Sequence, residues 1–325
     1  MQIPPRYEVT PKMIGIIAKI DANREFIASI NPPKKVVEKI HSASLLKSSL
    51  YSARIEGHTA TFEELDEKKQ EQLEIFNILK TIRYIKRQVK KNTKINKTFV
   101  SRLHSLAMQG ISGEAGRFRT ESTAIFNQAG VAIYLPPPPI KVSEHILALC
   151  TFINGKYEQF PLVNAFITHL IFEKIHPFLD GNGRVGRLLV YAIFQSKGYD
   201  FGMHIPFEEY IDNHKQDYYY ALDIGLQDPN EYLVFMLEAY YAQTENIKKL
   251  LLSEQNSPAV LLPPRQEEIY RIIRDHKTIS LDFISRRFMK IPKRTIRYDL
   301  KKLVDSGLVA KIGKTRGVIY TVVKK

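Results

Sequence analysis

His176-Pro177-Phe178-Leu179-Asp180-Gly181-Asn182-Gly183-Arg184-Val185-Gly186-Arg187 links two apolar runs, 163–175 and 183–197, and its reading decides how the rest of the chain is organised. The glycines on either side of Asn182 free the backbone to turn tightly and aim N–H groups inward, while a helix opening behind them adds partial positive charge. Together they form an anion cradle. Arg184 and Arg187 are three residues apart, so they share one helix face and can converge on one group; their guanidinium forks match phosphate oxygens. A multiply charged phosphate chain is the natural ligand. Asp180 supplies a hard oxygen where Mg²⁺ can bridge to phosphates, an ion that typically takes only one or two protein carboxylates. His176, with an ordinary pKa of about 6.5, can accept a proton at neutral pH and so activate a hydroxyl for attack on phosphorus. Phe178 suits packing. Singly, each of these residues has an ordinary reading as a helix end, a turn or a solvated basic face. Base, carboxylate, glycine turn and paired arginines gathered at one helix entry do not reduce to a turn.

Outward from this loop, apolar residues recur at helical spacing through 34–50, 63–90, 97–109, 143–154, 163–175, 183–197, 214–226 and 231–252. This predicts an all-α catalytic domain over 1–252. The exception is Ser122 to Leu135, where Thr123, Ile125, Val131, Ile133 and Tyr134 flank Asn127-Gln128-Ala129-Gly130, a β-hairpin signal closed by Pro136 to Pro139. An exposed strand edge in 122–135 would hold an extended protein segment by main-chain pairing; a hairpin that merely covers the core is the other reading.

The pattern breaks at Ser253-Glu254-Gln255-Asn256-Ser257-Pro258 and again at Pro263-Pro264, which predicts a linker over 253–264. From Ala259 onward there are 17 lysines and arginines against 6 acidic residues, a net +11 out of the chain's +14. Three helices, 265–276, 281–288 and 293–306, precede two apolar strands at 309–311 and 318–321. Ile296, Leu300, Leu303 and Val304 form one stripe of the third helix, leaving Arg294, Arg297, Tyr298 and Lys301 turned away from it. Residues 265–325 thus look like a small α+β winged helix-turn-helix domain with Lys314 and Arg316 at the wing tip. Such a helix can enter a major groove while the wing touches phosphates; winged helices also serve as dimer or protein docking modules. Gly313-Lys314-Thr315 ends like a phosphate-binding P-loop, but the required glycine position holds Leu308, so it belongs to the wing turn.

With 325 residues, 44% of them hydrophobic and 25% charged, the chain has the composition of a globular protein of about two domains. Its single cysteine, Cys150, lies in an apolar run and reads as a small buried hydrophobe; a disulfide framework within one chain is excluded. Met1 to Arg6 lack the apolar core of a signal peptide, and no run approaches the roughly 20 apolar residues of a membrane span. A cytoplasmic location without membrane contact is expected.

The loop resembles the signature of the Fic family, HxFx(D/E)GNGRxxR, at every specified position: His176, Phe178, Asp180, Gly181, Asn182, Gly183, Arg184 and Arg187. The resemblance extends over roughly 34–250 in helix order. It implies an all-α Fic fold with a β-hairpin flap, and transfer of AMP from ATP to a Ser, Thr or Tyr hydroxyl of a protein, with Mg²⁺ bound and pyrophosphate released. By this resemblance His176 is the general base, Asp180 the Mg²⁺ ligand, Gly181, Asn182 and Gly183 the anion hole, and Arg184 and Arg187 the phosphate clamps. Gly183 departs from the kinase-like branch, which carries lysine there. The hairpin lies where the family keeps its flap, after Gly116-Arg117-Phe118-Arg119, and Tyr219 matches a stretch lining the adenine pocket. The asparagine often found about seven residues later is replaced by Leu226, followed by Gln227.

Upstream, Ser52-Ala53-Arg54-Ile55-Glu56-Gly57, within the segment 51–57, resembles the family's inhibitory motif (S/T)xxxE(G/N) in its N-terminal class. A carboxylate reaching Arg187 would occupy the guanidinium that should hold the γ-phosphate. Glu56 would thus suppress transfer, or instead position a water that removes AMP; a capped helix end is the plain structural reading. A homodimer follows from the resemblance alone. Two functions fit: an autoinhibited protein adenylyltransferase, with the chain itself among its targets and brought to DNA by 265–325, or a DNA-binding transcriptional regulator that uses a Fic-like domain as a nucleotide sensor. The intact His176 favours the enzyme, since a sensor needs no base.

Overall fold

The computed structural model describes residues 1–30, 32–67, 69–126, 132–256, 262–276, 278–313 and 318–323. In chain order it runs α1 (Pro11–Ser29), α2 (Lys34–Ile55), short 3-10 turns at Phe62–Glu64 and Gln70–Gln72, α3 (Leu73–Gln88) and α4 (Lys97–Ala107). A two-stranded hairpin, β1 (Ile125–Phe126) and β2 (Ala132–Tyr134), follows. Then come α5 (Pro139–Asn154), α6 (Pro161–Ile175), α7 (Asn182–Lys197), α8 (Glu208–Asn213), α9 (Lys215–Ile224) and α10 (Pro229–Asn256). The tail comprises α11 (Pro264–His276), β3 (Thr278–Ser280), α12 (Leu281–Arg287), α13 (Lys293–Asp305), β4 (Val309–Ile312) and β5 (Ile319–Val322).

Two compact units emerge. The first gathers Met1–Asn31, Ser44–His58 and Glu67–Leu251. Its centre is α6, buried without interruption from Leu162 to Ile175, against α7, buried from Asn182 to Phe194. A helix buried on all sides belongs inside a bundle, and here the two inner helices carry the sequence loop between them. The loop is therefore anchored at both ends in the best-packed part of the unit. Cys150 is buried, and burial pushes its thiol up to about 11, as befits an inert core residue.

The second unit gathers Pro32–Ala43, Thr59–Asp66 and Leu252–Lys325. The antiparallel sheet β3-β5-β4 pairs Ile279 with Tyr320 and Lys311 with Tyr320. It packs with α11, α12 and α13 around Ile269, Ile284, Ile296, Leu300 and Phe288. Asp299 of α13, 1% exposed, takes bonds from Arg265 and Gln266, joining the third helix to the first.

Several expectations need correction. The first helix, α1, was not foreseen, although Thr10 accepts from Met13 N at its N-cap and Met13, Ile16, Ile17 and Ile20 mark its buried side. The expected helix 63–90 begins only at Leu73, because the stretch from Asp66 to Gln72 holds no apolar residue to form a helix face. The expected linker 253–264 is helical over its first part, since α10 continues to Asn256. Pro139 does not close the hairpin but opens α5, where its missing N–H costs no helix bond. Residues 265–325 also do not stand alone: the 3-10 turn Phe62–Glu64 joins their unit, with Lys290 paired to Glu64 at 3.1 Å. Among the described residues, no helix is long and apolar enough to cross a membrane.

Candidate functional site

The loop is bracketed by two left-handed residues. His176 caps α6 at φ 47°, ψ 62°, and Gly181 caps the start of α7 at φ 79°. A non-glycine residue in this region is uncommon, and it is held by its surroundings. The buried Arg119, from the Gly-x-x-Arg element, donates through Nε to the His176 carbonyl at 2.8 Å and through its backbone N to Pro177 O at 2.9 Å. The same guanidinium bonds Glu121 O and Pro137 O, on the two legs of the hairpin. Arg119 thus ties the hairpin to the backbone of the candidate base, a role the sequence signalled only by the residue's presence upstream.

Burial pushes the His176 imidazole below its ordinary range, so it is neutral at neutral pH and free to accept a proton. Its Nδ1 lies 3.3 Å from Glu173 O, which orients the ring. Asn182 closes the loop on itself: Oδ1 accepts from Phe178 N and Nδ2 donates to Phe178 O, both at 2.9 Å. Its side chain is therefore a staple. What the start of α7 offers an anion is backbone N–H, together with the helix dipole. Asp180 stands at the mouth with 63% of its side chain exposed; its Oδ1 meets Arg184 Nη2 at 2.6 Å, and Arg184 Nη1 lies 3.0 Å from Glu74. Glu74, on α3, was missed by sequence reading, as its link to the loop exists only in three dimensions. A single hard carboxylate at the open end of an anion cradle fits Mg²⁺, with Asp180 as the residue that would hold it.

The segment 51–57, at the end of α2, reaches the same place. Arg187, 1% exposed, donates through Nε to Ser52 Oγ at 2.9 Å, and through Nη2 to Ser52 O at 2.8 Å and Glu56 Oε1 at 2.9 Å. Burial alone would lower its pKa, but Glu56 beside it holds it above the ordinary guanidinium value. A Cβ added at Gly183 would lie 2.2 Å from Glu56 Oε1, so the carboxylate stands directly over the glycine turn. The end of α2 is gripped from α8 and α9. Arg54 pairs with Asp212 at 3.1 Å, Lys215 donates to Arg54 O, and Tyr219 OH donates to Ile55 O at 2.8 Å. Tyr219, expected at the nucleoside, is here bonded to the backbone at the end of α2.

Beneath the loop lies a buried polar group that the sequence did not flag. His169 is 0% exposed between Tyr232 OH at 2.7 Å and Tyr218 OH at 3.4 Å, and burial lowers its pKa to about 3. Glu173, one turn on, is pushed up to about 8 by burial, and its Oε1 has no hydrogen-bond partner. A Cβ at Gly186 would meet that oxygen at 2.4 Å, which explains the glycine inside α7.

The hairpin pairs Ile125 with Tyr134 and Phe126 with Ala132; its expected turn, Asn127 to Gly130, lies outside the described residues. Lys174 sits 4.6 Å over the Tyr134 ring. In the tail, Arg294, Arg297, Tyr298 and Lys301 are all exposed on α13, opposite buried Ile296, Leu300 and Leu303. Lys314 and Arg316 lie outside the described residues.

Residues 94–194 match the model of the Fic/DOC family, and residues 265–317 match that of the DeoR-like helix-turn-helix domain. A protein adenylyltransferase Fic of Drosophila willistoni is 25% identical over 197 residues, which cover 56% of this chain and 38% of that protein. A probable protein adenylyltransferase of Aquifex aeolicus is 37% identical over 81 residues, 25% of this chain and 24% of the relative. The chain thus spans well under half the length of these curated relatives. Among solved structures, a Fic family protein from Desulfovibrio desulfuricans superimposes with a TM-score of 0.68 at 21% identity, covering 99% of this chain and 98% of that one. Fic-1 from C. elegans gives 0.61 at 17% identity over 75% and 73%. The fold is that of Fic proteins. Residues 94–194 are thus similar to a Fic/DOC domain, and residues 265–317 to a DeoR-like helix-turn-helix domain.

Proposed function

We propose that this chain is a protein adenylyltransferase that moves AMP from ATP to a protein hydroxyl, held off by Glu56. The observation that carries the reading is the loop itself: a neutral, oriented His176, the exposed Asp180 and two buried arginines meet at one helix N-terminus. The N–H groups of α7 and the arginines bind the phosphate chain, and Asp180 holds Mg²⁺, which neutralises phosphate charge when bound. His176 takes the proton of the target hydroxyl as that oxygen bonds to the α-phosphorus. The bond to the bridging oxygen breaks, and pyrophosphate leaves. The target segment pairs with the hairpin edge next to Leu135, which is 75% exposed.

Autoinhibition is supported by the Glu56–Arg187 pair at 2.9 Å, which withholds a cation from the γ-phosphate. The exposed basic face of α13 supports a second partner, duplex DNA, reached through the DeoR-like domain. Label transfer from α-labelled ATP with Mg²⁺ tests the enzyme reading. Incorporation by Glu56→Gly that His176→Ala abolishes is expected. No incorporation by any form, beside tight operator binding, would leave the nucleotide-sensing regulator instead.

A further inference from the structure

His104 lies outside the loop and outside the Glu56–Arg187 contact. It lies on α4, 2% exposed, with its imidazole stacked on Phe178 at 3.7 Å between centroids and 2° between planes. Its two nitrogens meet opposite demands. Gly116 N–H donates to Nδ1 at 2.7 Å, so Nδ1 carries no proton. Nε2 lies 3.0 Å from the Asp180 carbonyl oxygen, which can only accept, so Nε2 carries the proton and donates. One neutral tautomer satisfies both. Met108, one turn along, completes this floor: a Cβ on Gly181 would lie 2.7 Å from its sulfur and 3.3 Å from His104 Nε2.

We propose that His104 is a positioning residue for the anion cradle: its Nε2–H draws the Asp180 carbonyl inward and thereby turns the Gly181 N–H toward the phosphates. The cause is the planar trans peptide, whose C=O and N–H point in opposite directions. With the oxygen held against the imidazole, the Gly181 N–H faces the mouth. There it meets Asp180 Oδ1 at 2.5 Å, on the same side as the exposed carboxylate. Without the Nε2 donor the carbonyl loses its partner in the part-buried floor of the loop, and rotation of the 180–181 peptide relieves it at the expense of the cradle. The left-handed Gly181, at φ 79°, supplies the freedom for that rotation.

The inference rests on the loop taking ATP, and the two claims separate in one experiment on the full chain carrying Glu56→Gly. His104→Gln places an amide nitrogen near Nε2 and keeps the donor to Asp180. His104→Asn places its amide near Nδ1 and keeps only the acceptor for Gly116. Calorimetry with Mg-ATP should find the Gln form within about twofold of the parent and the Asn form roughly tenfold weaker. Equal affinities in the two variants overturn the proposal. Nitrogen NMR of the parent should give a protonated Nε2 and a bare Nδ1; the reverse tautomer overturns it independently of nucleotide. Should the parent bind no Mg-ATP, the ATP reading fails. The Gly181 amide resonance then decides for His104: it moves in the Asn form and not in the Gln form, or the proposal falls.

Discussion

The Glu56 carboxylate lies 2.9 Å from the Arg187 guanidinium and so close over Gly183 that a Cβ there would be 2.2 Å away. Under the proposed autoinhibition, Glu56 and a bound anion would therefore compete for one volume as well as one charge. An anion bound at the start of α7 must displace the carboxylate or be held away from Arg187.

Replacing Glu56 by Gly should raise AMP transfer and self-modification, read by the mass added to the chain. The same change leaves a buried guanidinium with Ser52 as its remaining partner. Thermal stability should fall by about 1–3 kcal/mol, a trade of stability for activity seen by calorimetry.

Tyr219→Phe removes the hydroxyl bonded to Ile55 O and keeps the ring. One lost bond at the end of α2 should loosen the brake by less than removal of Glu56. Basal transfer should rise about 2- to 10-fold. Unchanged basal transfer would mean that the grip from α9 does not hold the inhibitory helix.

Gly181→Ala meets a left-handed backbone at φ 79° and a contact of 2.7 Å with Met108 Sδ. The strain should cost about 1–3 kcal/mol of stability, measured by urea unfolding, and nucleotide affinity should fall with it.

Glu173 and Glu208 carry the clearest pH signature. Burial raises the first to about 8 and the second to about 7, whereas an unfolded glutamate titrates near 4.5. Between those values the folded chain binds more protons than the unfolded one, so stability falls as pH rises. The loss begins above the unfolded value and is complete once pH passes the folded pKa. Melting temperature followed from pH 5 to about 9 should decline, and Glu173→Gln should flatten part of that slope. A steeper slope in the variant would contradict the assignment.

Much of this was legible in the sequence, for identifiable reasons. The loop was readable because its parts are contiguous; the winged helix because its stripe of Ile296, Leu300 and Leu303 leaves one basic face. Glu56 was readable through its motif, and the pairing with Arg187 follows from α2 packing beside α7. His104, Arg119 and Glu74 were not, because each acts on a carbonyl or guanidinium distant in sequence. The strand β3 escaped notice at three residues, too short for alternation to register. Tyr219 matches the family's adenine stretch in sequence, and its hydroxyl bonds the backbone of α2 in the structure.

Arg297→Ala on the exposed side of α13 should weaken duplex binding and reduce the salt slope by about 1, measured by fluorescence anisotropy across ionic strength. A slope identical to that of the parent would remove α13 from the DNA interface.

Under the proposed function, Glu56 restrains a loop in which His176 is the base. Mass spectrometry of the parent, Glu56→Gly and Glu56→Gly/His176→Ala chains after incubation with Mg-ATP tests it most directly. An added AMP is expected on the single variant, more than on the parent, and none on the double variant. Equal modification of the single and double variants would contradict it, as would a parent no less modified than Glu56→Gly.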